Sequence, residues 1–148
     1  MPYAICDVEY SGAAATRARL FARDTVRSWH LESIALEAEM VTTELVTNAV
    51  LHGLPPISVE LGYDGDSLRI AVGDASPTPP VSGMPGADAM TGRGLNLVAS
   101  LSAQWGVASS SNGEAGKVVW AEIGVEPRDG RLLAAEQAGP EGWPARTP

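Results

Sequence analysis

One cysteine, Cys6, in 148 residues excludes an internal disulfide and any metal site built from paired cysteines. No apolar stretch approaches the ~18 residues that a membrane-crossing helix needs. No charged start followed by an apolar run stands behind Met1, so the sequence carries no signal-peptide pattern. Basic residues are few and scattered, ten Lys and Arg against 18 Asp and Glu for a net charge of −8. Without a Lys or Arg cluster, a nucleic-acid surface is not expected. A reducing, cytoplasmic setting is the simplest expectation. No internal repeat is present, and the length suits one domain with a real core.

What is present is a clear alternation of element types. Residues 3–10 alternate and read as a short strand, broken by Ser11-Gly12. Residues 13–29 place Ala14, Ala18, Leu20, Phe21, Val26 and Trp29 among Arg17, Arg19, Arg23, Asp24 and Arg27, an amphipathic helix. A connection over 30–33 leads to a second helix over 34–52, with Gly53 as its C-cap before the Pro55-Pro56 stop. Residues 57–63 and 67–73 alternate around Asp64-Gly65-Asp66, a hairpin signal. A Gly/Pro-rich stretch over 75–91 follows; at that length such a segment is functional or disordered. Gly92-Arg93-Gly94 then opens an apolar helix, and residues 104–109 and 116–125 read as a second hairpin. The order β-α-α-β-β-loop-α-β-β predicts an α+β fold, a two-layer α/β sandwich whose mostly antiparallel sheet is covered on one face by helices. Residues 1–126 form the expected domain. Residues 127–148 form a Pro/Gly/Ala-rich tail with little to bury.

Four features bear on chemistry. Along the second helix, Glu44, Asn48 and His52 fall about 40° apart at ~100° per residue, one narrow polar strip on a helix otherwise apolar nearly all round. Such a helix is normally buried, and a buried carboxylate is costly unless paired or bound. Either the three residues satisfy one another in a core, or the strip lines a pocket holding something polar. The Asn48 amide oxygen is a hard ligand of the kind Mg²⁺ accepts alongside phosphates and water. Glu44, one turn earlier, is placed to orient or deprotonate a hydroxyl nucleophile; His52 reads equally well as an ordinary helix-end histidine. Asp74, at a strand end, is able to accept from an exocyclic amine such as that of adenine, or simply to cap a turn. Gly92-Arg93-Gly94 suits a phosphate site, through close backbone approach, unpaired helix amides and a forked cation, or is a plain loop-to-helix junction. Gly116-Lys117, at a strand start, permits close approach and says little alone.

Taken together, these motifs resemble those of the GHKL superfamily of ATPases. Residues 44–53 look like its N box, Asp74-Ala75-Ser76 its first G box, Gly92-Arg93-Gly94-Leu95 its second and Gly116-Lys117 its third. Within the superfamily the wording is most similar to the short serine kinases that act as anti-sigma factors, over about residues 13–123. The resemblance implies a Bergerat, histidine-kinase-like ATPase fold and a bound ATP with Mg²⁺. Asn48 would ligate the metal, and Glu44 would act on the attacking serine. Asp74 would read the adenine amine, with His52, Ser76, Leu95, Gly116 and Lys117 also in the nucleotide motifs. Gly92, Arg93 and Gly94 would cradle the phosphates under a lid over 75–91.

The function so implied is an ATP-dependent protein serine kinase that binds a sigma factor and phosphorylates an antagonist protein, with homodimerisation common among such proteins. Neither nucleic acid nor membrane is an expected direct partner. The rival is a non-catalytic interaction module of the same fold with weak or lost ATP binding. Its support is Val118, which stands where relatives usually carry a threonine whose hydroxyl helps hold adenine. A sensor histidine kinase is disfavoured because no dimerisation helix pair precedes the domain, and a gyrase-like ATPase because no transducer follows it.

Overall fold

The computed structural model describes residues 1–76, 89–109 and 116–126. The expected lid over 75–91 and the tail over 127–148 therefore lie largely or wholly outside the described residues. The elements are β1 (Tyr3–Val8), α1 (Ala14–Ser28), a 3-10 turn (Glu32–Ile34), α2 (Ala35–His52), β2 (Ile57–Tyr63), β3 (Ser67–Asp74), α3 (Ala89–Leu101), β4 (Gln104–Ser109) and β5 (Lys117–Gly124). All five strands form one sheet in the order β1-β2-β3-β5-β4, each neighbouring pair antiparallel. The expected α+β sandwich is present, with helices layered on one face of that sheet.

The first hairpin shows its cause directly. Gly65 adopts φ 91° at the turn, a conformation that an L side chain resists. The Asp64 carboxylate then accepts from the amides of Asp66 and Ser67 at 2.9 and 2.8 Å. The alternation of β2 and β3 sends Ile57, Val59, Leu61, Leu68, Ile70 and Val72 to the helix side, where they meet Val41, Leu45 and Val46 of α2 and Val98 of α3. Helix α1 buries Ala14, Ala18 and Ala22, small residues four apart that let it lie close against α2. Arg19 of α1 adds an ion pair to Glu39 of α2 at 3.1 Å.

The opposite face of the two central strands is also buried. Arg69 of β3 pairs with Glu122 of β5, directly opposite it in the ladder. The Arg69 guanidinium stands 5.3 Å from the centroid of the Trp120 ring, a distance at which cation–π attraction operates. That ring lies so close over Gly106 of β4 that a Cβ there would sit 2.9 Å from Trp120 Cζ2.

Two elements differ from the sequence reading. Helix α3 begins at Ala89 rather than behind Gly92-Arg93-Gly94. Ala89 and Met90 are good helix formers, and the two glycines cost about 1 kcal/mol each, too little to exclude them from a helix that packs on α2. Helix α2 is not enclosed on all sides. Leu36 and Leu51 are exposed, and the strip of Glu44 and Asn48 is half-buried.

Candidate functional site

The densest polar arrangement on the helix side of the sheet is at the end of β3. Asp74 stands opposite Lys117, the first residue of β5, in the strand register. Antiparallel neighbours directly opposite project to the same face, and the Lys117 ammonium reaches both carboxylate oxygens, at 3.1 Å from Oδ1 and 2.9 Å from Oδ2. Two backbone amides donate to Oδ1 as well, Ser76 N at 2.7 Å and Leu54 N at 3.4 Å. A backbone bond from Ala75 N to the Leu54 carbonyl, 2.9 Å, ties the end of β3 to the residue that follows α2 and Gly53. The Asp74 side chain is 1% exposed and that of Lys117 8%.

Gly53 is the hinge of this corner, for a reason other than the one expected. It caps α2, but with φ −105° and ψ −167°, an extended conformation open to any residue. Space is what demands glycine. A Cβ at residue 53 would fall 2.5 Å from Asp74 Cγ and 2.6 Å from the Ala49 carbonyl oxygen, so the carboxylate packs flat against the bare backbone.

Along α2, Glu44 and Asn48 are half-buried and make no side-chain hydrogen bond or ion pair among the described residues, while His52 ends the helix exposed. The first of the two open explanations, mutual satisfaction within a core, is thereby removed for Glu44 and Asn48. An amide oxygen in this state suits a hard cation whose other ligands are phosphate and water. Among the described residues no group of three or more His, Cys, Asp or Glu is gathered for a metal, so a magnesium here would rely on the nucleotide for its other ligands.

Gly92, Arg93 and Gly94 fall within the first two turns of α3. The unpaired amides of that helix belong to its first residues, from Ala89, rather than to Gly94. Leu95 is buried, Gly116 stands just before β5, and Ser76 is buried beside the carboxylate to which its amide donates. Arg93 and the lid are not part of the side-chain geometry described.

Val118 is placed differently from the sequence expectation. It pairs with Gly73, not Asp74, and packs with Ala71 and Trp120 on the far face of the sheet. A threonine hydroxyl at position 118 would point away from Asp74; residue 117 is the one that faces the carboxylate. The sequence reading named both Asp74 and Lys117 but missed their pairing. Only the adjacency of β3 and β5 could have revealed it, since the two residues are 43 positions apart.

The end of α2 at Gly53 and Leu54, the end of β3 and the start of β5 thus form one corner around the Asp74–Lys117 pair. A search among curated proteins finds no match. The family model for a histidine kinase-like ATPase domain matches residues 9–123, spanning every described element from α1 to nearly the end of β5. The chain belongs to the family of histidine kinase-like ATPase domains, a GHKL-type ATPase fold that implies ATP binding.

Proposed function

We propose that this protein is a regulatory serine kinase of the anti-sigma-factor kind, which binds Mg·ATP, phosphorylates a serine on an antagonist protein and sequesters a sigma factor. The observation that carries the reading is the half-buried Glu44 and Asn48, one helical turn apart and without partners among the described residues. Bound Mg·ATP supplies the transferable phosphoryl group and the cation that neutralises it. Asn48 would hold the metal through its amide oxygen. Glu44, one turn away, orients the incoming serine hydroxyl and takes its proton. Asp74 would accept from the amine of the base, and Gly92, Arg93 and Gly94 are the proposed phosphate contacts.

Labelled γ-phosphate supplied as ATP tests this reading on an antagonist encoded beside the gene. Transfer to a serine by the native protein, lost in Asn48→Ala and Glu44→Ala, supports it. ATP binding without transfer overturns the kinase reading. It would leave the second reading, a non-catalytic binding module, which the engagement of Asp74 by Lys117 favours. Dimerisation is proposed with the same subtype, and sedimentation equilibrium would read it.

A further inference from the structure

Lys117 is the single lysine of the chain, and it is buried, at 6% exposure. A lysine ordinarily keeps its ammonium in water even where its stem is covered. Here the ammonium stays inside and bridges both oxygens of Asp74. Oδ1 already takes Ser76 N and Leu54 N besides the ammonium, and an ionised oxygen has about two lone-pair sites. Oδ1 is therefore full. Oδ2 is bonded to the ammonium and lies in a carboxylate pressed on Gly53.

An amine donor on a ligand thus meets an acceptor that is already in use. We propose that Lys117 is the resident occupant of the base site: its ammonium stands where the exocyclic amine of a purine bonds, and the base binds by displacing it from Oδ2. The inference rests on the reading of Asp74 as the amine acceptor and adds what that residue does before nucleotide arrives. The displacement also shapes specificity. Removing the ammonium leaves a buried carboxylate that needs a donor, and an uncompensated buried charge is strongly disfavoured. A base that offers an amine replaces the lost bond. One that offers a carbonyl oxygen at that edge sets acceptor against acceptor, so amino-purines are selected over oxo-purines, and the internal pair holds affinity below what the open site would give.

Calorimetric titration of Mg·ATP into the native protein and Lys117→Met at pH 8 tests the proposal, because methionine keeps the apolar stem and removes the charge. The expected result is binding about tenfold tighter in the variant, the worth of one charged hydrogen bond no longer broken. Equal or weaker binding in the variant overturns the role of Lys117 alone. Absence of ATP binding in both proteins overturns the nucleotide reading and this inference with it. Should Lys117→Met fail to fold, the native protein decides. With ¹⁵N-lysine its one side-chain ammonium signal should shift on saturation with Mg·ATP and stay in place with magnesium tripolyphosphate, which lacks the base. A signal unmoved by bound ATP overturns the proposal.

Discussion

Gly53 shows how much one absent methyl group can govern. Gly53→Ala would drive a Cβ to within 2.6 Å of a backbone oxygen and of a carboxylate held by three donors. Neither neighbour is the free end of a flexible chain, so α2 and β3 must separate. A loss of about 1–3 kcal/mol is expected, read as a lower urea midpoint at unchanged slope, together with weaker ATP binding. Asn48→Ala provides the contrast. Its side chain has no partner among the described residues to lose, so stability should change by less than about 0.5 kcal/mol, while ATP-induced protection disappears. Gly53 was legible in the sequence as the cap of the second helix, but the packing that demands it was not. The glycine's reason is a neighbour 21 positions away, and no local pattern encodes a distance of that kind.

At the level of elements, β1 and β2 share a pair of titrating groups at the sheet's outer edge. The Tyr3 hydroxyl donates to Glu60 of β2, and its pKa is pushed up to about 12, by burial first and then by the adjacent carboxylate. The native state then holds the phenol proton where the unfolded chain has released it. Stability from this group is complete below pH 10 and falls between 10 and about 12. Tyr3→Phe should flatten that alkaline decline, measured as urea midpoints from pH 9 to 12. Burial also raises the pKa of Glu60 above its ordinary value, only partly offset by the Tyr3 bond. Its contribution therefore falls as pH rises through the raised pKa, opposite in sign to a salt-bridged carboxylate. In the central strands, Glu122→Ala removes the carboxylate paired with the buried Arg69 and should destabilise the fold, read as a lower urea midpoint. Strand and helix order was readable because alternation, hairpin chemistry and apolar spacing are local. The start of α3 was not: the glycines that look like a helix boundary are tolerated inside a helix whose packing on α2 outweighs their propensity.

For the molecule as a whole, nucleotide is expected to act as a stabiliser of the folded domain. At a hundredfold excess over its dissociation constant, Mg·ATP should add about 2.7 kcal/mol, visible as a rise in melting temperature that Asn48→Ala abolishes. The family assignment itself was legible because its motifs sit at separate points along the chain and agree in order. Which residue of β5 faces the acceptor was not, because side-chain direction depends on strand register, and Val118 and Lys117 differ by a single step. That register is fastened at both ends of the β3–β5 ladder. Asp74–Lys117 lies on the helix side, and Arg69–Glu122 lies five steps along on the other. Slippage of β5 by one residue would turn Lys117 and Glu122 to the wrong faces at once, stranding Asp74 and Arg69 from their counter-charges. Only one alignment of β5 against β3 therefore matches all four charges, so the two ion pairs act as a key for seating that strand.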